Sequence, residues 1–274
     1  YEISTPYTTA QLFDLKFAQS ADVMYICNEN HSVRKLTRTG HTSWTLSEVE
    51  FTNGPYLDSN TTSTTITPSA TTGSSITITA SAATFGSADV NRLISFNSGY
   101  AKITGFNSAT SVAATTKKDF TNTNAITNWK LGAFSETTGH PSCVSFFEQR
   151  LVFANTNNNP QTLWFSKAGD YENFTTGTNA DDAMIYTIAS NQVNAIQYLK
   201  AVRTLIVGTS GGEFTVSADG TDASITPTNV TIKRQSSFGS AGVDAIPAGN
   251  AVLFLQKARR KIRELAYNFD SDGY

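Results

Sequence analysis

One pattern recurs along the chain and limits what it can fold into. ADVMYICNENHSVRKLTRTGHTSWTL (21–46), SCVSFFEQRLVFANTNNNPQTLWFSKAGDYENF (142–174), VNAIQYLKAVRTLIVGTSGGEFTVSADG (193–220) and NAVLFLQKARRKIRELAYNFDSDG (250–273) each run from a short apolar strand through a polar turn into another strand. The middle two add a further strand, TLWFSK after NTNNNPQ and EFTVSA after TSGG. A short antiparallel hairpin cannot bury its own face, whereas repeated sheets that cover one another can. The spacing is regular, with Val152 to Ile206 54 positions apart and Ile206 to Leu253 47. Propeller repeats run at about 40 to 50 residues. The expected fold is all-β: β-propeller-like repeated antiparallel blades.

From Met24 to Phe146 the interval is 122 positions, an excess of about 70 over one blade. That excess predicts an inserted small β-barrel or sandwich. In SNTTSTTITPSATTGSSITITASA, Ile76, Ile78 and Ala80 alternate with Thr77 and Thr79, as in a strand with one buried face. DVNRLISF, YAKITGF, TSVAATT and NWKLGAF follow as short strands between Gly, Ser and Asn turns. The expected division is 1–48 for a short helix and first blade, 49–135 for the insertion, and 136–274 for further blades. The helix is expected within TTAQLFDLKFAQSA (8–21), where Leu12, Leu15 and Phe17 or Ala18 are near helical spacing and Thr9 is an N-cap candidate.

Composition suits this reading. The chain has 274 residues, 39% hydrophobic and 11% aromatic, enough for a core. Only 15% are charged, below the usual quarter, and Ser, Thr and Asn supply the polarity. The net charge of −2 leaves no global attraction for nucleic acid. Cys27 and Cys143 lie in or beside apolar runs, with no CxxC spacing, and read as buried thiols rather than a disulfide or zinc ligands. No apolar run reaches membrane-span length and no signal peptide is visible. Tyr1 and the terminal DSDGY read as the ends of a fragment of a longer chain.

Candidate chemistry is sparse. Glu148, Asp170 and Glu172 form the best carboxylate set for glycosidase-type acid and base work, which needs two carboxyls roughly 5 to 10 Å apart. The competing reading makes EQRLVFANT (148–156) a turn feeding a strand buried on both faces, with Glu148 and Arg150 holding neighbouring turns. His31, His41 and His140 lack ligand spacing, and His41 and His140 read as turn residues flanking the insertion. TSGGEF joins strand to strand, so it offers no helix N-terminus for phosphate. Asn268, Asp270, Asp272 and Gly273 have calcium-loop spacing or are an ordinary turn. Lys257, Arg259, Arg260, Lys261 and Arg263 form either a solvated turn or a basic rim facing DNA or an acidic partner. Asn30, Asn173 and Asn229 stand in glycosylation sequons that a Ser/Thr-rich chain produces by chance. No catalytic, cofactor-binding or metal-binding residue is expected, and the chain is not expected to be an enzyme.

The four repeated segments together resemble a family of tailed-bacteriophage and prophage virion proteins, the tail nozzle or tail tubular protein B of short-tailed phages. Members carry an inserted β-domain described as FCCH-like, after a domain of ubiquitin-activating enzymes. Neither cysteine here has a catalytic context and no adenylation loop is present, so ubiquitin chemistry is not implied. The resemblance implies a structural subunit of a homohexameric tube in the virion, assembled in the host cytoplasm. It would contact portal, adaptor and tail fibre proteins, and DNA would transit the lumen without sequence-specific binding. The propeller would close with segments beyond Tyr274. Two rivals are a glycan-binding or glycan-cleaving tail component, favoured if Tyr56, Phe106 and Trp129 are exposed, and a Ser/Thr-rich surface adhesin.

Overall fold

Alternating and continuous apolar runs make the regular structure of this chain almost all strand, 49% of residues against 3% helix. The computed structural model describes residues 1–189, 192–220 and 223–267. They form two units, Tyr1–Glu50 with His140–Tyr274, and Phe51–Gly139.

The first unit opens with a 3₁₀ turn at Thr9–Asp14, where the Thr8 N–H donates to the Gln11 side chain at 2.9 Å. The expected longer helix is corrected here. Phe17 and Ala18 lie in a strand, and the turn buries none of its residues, so no packing extends it. Strands β1 (Lys16–Ser20), β2 (Val23–Asn28), β3 (His31–Gly40) and β4 (Ser43–Glu48) then form a four-stranded antiparallel sheet in sequence order.

The second unit contains β5 (Ile66–Pro68), β6 (Ile76–Ala80), β7 (Leu93–Phe96), β8 (Gly99–Ser108), β9 (Ser111–Lys118) and β10 (Lys130–Leu131). They form one sheet in the order β10-β7-β8-β9-β6-β5, curled as a half-barrel. The segment 126–131 links its two edges: Ile126 exchanges backbone hydrogen bonds with Ile66 on β5, and Leu131 pairs with Ile94 on β7. On β6, Ile76, Ile78 and Ala80 are buried while Thr77 and Thr79 are exposed, as the alternation predicts.

The first unit resumes with β11 (Cys143–Phe147), β12 (Arg150–Ala154), β13 (Thr162–Phe165) and β14 (Met184–Thr187). Next come β15 (Ile196–Ala201), β16 (Leu205–Thr209), β17 (Gly212–Ser217) and β18 (Thr231–Ser236). A three-stranded sheet follows, β19 (Ile246–Ala248), β20 (Ala251–Leu255) and β21 (Ile262–Ala266). All three sheets are antiparallel in sequence order.

Every residue of β12 and β16 is buried, because each of these sheets is covered on both faces. Val152, Leu163 and Phe165 of the second sheet pack with Leu205, Val207 and Val216 of the third. Tyr198 and Ile206 of the third pack with Val252, Phe254 and Leu265 of the fourth. Tyr25 meets Phe146 edge-on at 6.1 Å, joining the first sheet to the second. Tyr198 is also the reason for Gly208: a Cβ there would lie 2.1 Å from the Tyr198 ring. Cys27 and Cys143 are both buried and unbridged, and burial pushes the Cys143 thiol up to about 12 and Cys27 upward as well. A thiol-specific reagent at pH 7 to 8 should therefore leave both unmodified in the native protein and modify both in denaturant. Rapid native labelling would contradict this.

Candidate functional site

The hairpin joining β11 to β12 turns in two residues. Glu148 (φ 44°) and Gln149 (φ 59°) both have left-handed backbones, and Phe147 pairs with Arg150 across them. That is the type I′ geometry that Asn-Gly adopts most readily, so the left-handed backbone costs Glu and Gln about 1 to 2 kcal/mol each. Tertiary contacts hold them there. The Glu148 Oε2 accepts the Ile225 N–H at 2.7 Å, and the Gln149 carbonyl accepts the Gly169 N–H at 2.8 Å.

Arg150 follows with 1% of its surface exposed. Its guanidinium donates to the carbonyls of Ser166 (2.8 Å), Ala180 (2.5 Å), Asp181 (3.3 Å) and Asp182 (2.7 Å). Burial lowers its pKa, while the charges of Asp181, Glu148 and Asp182 act in the opposite direction. Arg150 and Glu148 therefore hold neighbouring turns, as the strand reading expected. Glu148→Ala should cost about 1.5 to 3 kcal/mol, the worth of one hydrogen bond to a charged acceptor. Chemical denaturation of the variant checks this, and a loss above about 3 kcal/mol would contradict it.

The connection between β13 and β14, which Arg150 holds, carries an ion cluster. Lys167 Nζ lies 3.1 Å from Asp181 and 3.0 Å from Asp182, and Asp182 also accepts the Asn179 N–H at 3.0 Å. Chiefly through the Lys167 hydrogen bond, the Asp182 carboxyl titrates below its ordinary value of 3.8. A depressed carboxylate pKa contributes stability that is present above the unfolded value and lost as pH falls through the folded one. The stability of the first unit should thus decline below about pH 4, and Asp182→Asn should shallow that decline. An unchanged acid limb in the variant would contradict the assignment.

The remaining carboxylates have other partners. Glu172 Oε1 accepts from Lys35 Nζ at 2.6 Å and from the Tyr25 hydroxyl at 3.0 Å. Burial first, then the Glu172 charge, pushes the Tyr25 hydroxyl pKa upward. Asp170 accepts from Asn173 Nδ2 at 3.0 Å. Glu148, Asp170 and Glu172 share no hydrogen-bond partner among these contacts, and each holds a structural one. A cleft of about 340 Å³ is lined by Val202, Arg203, Asn250, Val252 and Tyr267, with Arg203 over the Tyr267 ring at 5.1 Å. Among the described residues no carboxylate, histidine or cysteine lines it.

His31 Nε2 is 3.1 Å from the Gln11 side chain and its ring meets Tyr7 edge-on. His41 is corrected: it lies in the β3–β4 turn, not at the edge of the second unit. His140 is buried. Among the described residues no group of three or more His, Cys, Asp or Glu could hold a metal ion. Asn268, Asp270, Asp272 and Gly273 lie outside the described residues. Of the three aromatic residues whose exposure would favour the glycan reading, one is exposed. Trp129 is buried with its N–H on the Thr64 carbonyl at 3.0 Å, and Tyr56 is half-buried against Asn53 at 2.6 Å, leaving Phe106 exposed.

The residue that sequence reasoning missed is Glu213. TSGGEF does join strand to strand, β16 to β17, but the Glu after the glycines is fully buried. Its carboxylate accepts from the Ser240 hydroxyl at 2.7 Å and from that of Ser236. It fastens the end of β18 and the segment leading to the fourth sheet. Its partners lie 23 and 27 residues away, so no local pattern announces it.

No protein-family model matches the chain, and no curated protein matches it. Among the described residues no helix is long and apolar enough to cross a membrane.

Proposed function

We propose that this chain is a structural subunit of a phage tail of the nozzle type, whose sheets serve as propeller blades in a DNA-ejection conduit. The observation carrying this reading is how the charged side chains around the turns are used, two of them (Arg150 and Glu213) fully buried. Arg150, Glu148, Glu172 and Glu213 are each committed to a turn or to a neighbouring sheet. That is how a load-carrying assembly part uses them, whereas an enzyme aims such groups into a pocket. The blade reading draws further support from strand placement. First strands lie side by side, β1 by β11 and β11 by β15. Lys16 on β1 reaches the Gly242 carbonyl at 3.1 Å and Asp244 at 2.8 Å, just before β19. With the tail resemblance of the four repeated segments, this favours assembly over catalysis.

Sedimentation velocity of the purified protein, paired with a reducing-end assay on bacterial surface polysaccharides, tests the proposal. A homo-oligomer several times the chain mass of 29.5 kDa, releasing no sugar, is expected. A monomer that cleaves glycan and loses that activity in folded Glu148→Ala would overturn it.

A further inference from the structure

The charge of this chain is divided unevenly. Residues 231–263 contain seven Lys and Arg and a single acid, Asp244, which is paired with Lys16. The rest of the chain carries 13 Lys and Arg against 21 Asp and Glu. A basic cluster in an acidic chain is a local electrostatic feature rather than a consequence of overall composition.

The fold gathers these cations at one end of the third and fourth sheets. Lys257, Arg259, Arg260 and Lys261 occupy the β20–β21 turn, all exposed and in no ion pair among the described residues. The turn is anchored by its backbone: the Arg259 N–H donates to the Gln256 carbonyl at 2.7 Å and the Lys257 N–H to the Gly239 carbonyl at 2.9 Å. Gly239 packs on the Ser210 carbonyl, and Arg234 is fixed on the adjoining Gly211 carbonyl at 2.7 Å. Arg263 lies 3.9 Å from the centre of the Phe238 ring, and Phe238 remains 45% exposed. The surface is a run of cations, three of them arginine in or beside the turn, around an accessible aromatic ring.

We infer that this turn binds the phosphodiester backbone of a nucleic acid. Guanidinium forks match phosphate oxygens two at a time. Phe238 among cations is the combination that holds unstacked bases; every nucleotide presents a ring for it to stack on, whereas an acidic run of Asp and Glu presents none. This inference rests on charge and placement alone, and it stands or falls independently of the tail assignment.

The test is fluorescence anisotropy of the purified chain with a labelled oligodeoxythymidine of about 20 nucleotides, repeated with duplex DNA over a salt series. If the four turn cations neutralise four phosphates, log K should fall against log salt with a slope of about −3 on the single strand. Replacing Lys257, Arg259, Arg260 and Lys261 together by Ala should cut affinity at least about tenfold and flatten that slope. The double change Lys117→Ala and Lys118→Ala, at exposed cations on another unit, should leave binding unchanged. Phe238→Ala should weaken the single strand more than the duplex. Circular dichroism melting establishes that each variant is folded. No binding, binding that survives the fourfold change, equal binding to polyglutamate, or preference for anionic vesicles would each overturn the inference. So would single-strand affinity unaffected by Phe238→Ala.

Discussion

Arg150→Met should destabilise the first unit by about 3 to 5 kcal/mol, the range for removing one partner of a buried charged network. Methionine preserves much of the side-chain volume but donates nothing. The carbonyls of Ser166, Ala180, Asp181 and Asp182 would lose their shared donor at once. Each buried carbonyl left unmet costs about 1 to 3 kcal/mol, and water reaching the exposed Ala180 and Asp181 recovers part of this. Arg150→Lys should fall between the two, because one ammonium cannot span four acceptors. Urea unfolding followed by tryptophan fluorescence measures the effect. Trp164 is buried on β13, paired with Phe153, so it reports on this unit. A loss under about 1 kcal/mol would mean the guanidinium does not organise the turn.

Phe153→Ala should cost a similar amount, about 3 to 5 kcal/mol, for a different reason. The ring is fully buried on β12, between Val144 and Trp164 in register, and stacks on Phe174 at 5.8 Å. Truncation leaves a cavity in a strand covered on both faces, and close packing allows little collapse. Phe153→Leu keeps most of the volume and should cost clearly less. Phe106→Ala, at a ring already 40% exposed, should stay within about 0.5 kcal/mol. Equal losses at Phe153 and Phe106 would contradict the two-sided burial of β12.

What could be read from the residues depended on how far their partners lay. The β6 alternation and the continuous apolar run of β12 are local signals, and both strands formed as expected. Leu12, Leu15 and Phe17 suggested a helix because three apolar residues at near-helical spacing match the first turns of one. The backbone of Lys16–Ser20 pairs with β2 instead, and Phe17 stays 61% exposed. The fourth strand of the third sheet, β18, was invisible, since TIKRQS is polar along much of its length and sits at a sheet edge. Arg150 could be placed in a turn from sequence, but not its four acceptors, which lie 16 to 32 residues downstream. Glu148, Asp170 and Glu172 look alike in sequence, and only tertiary contacts assign them to different partners. The basic turn was legible outright, because its cations are neighbours in the chain.

Electron microscopy of the full-length protein purified alone, with class averages examined for rotational symmetry, tests the central claim most directly. Six-fold rings bearing peripheral knobs are the result expected of a nozzle subunit. Uniform single particles without symmetry, combined with specific cleavage of a host polysaccharide, would contradict the structural assignment and return the chain to glycan recognition.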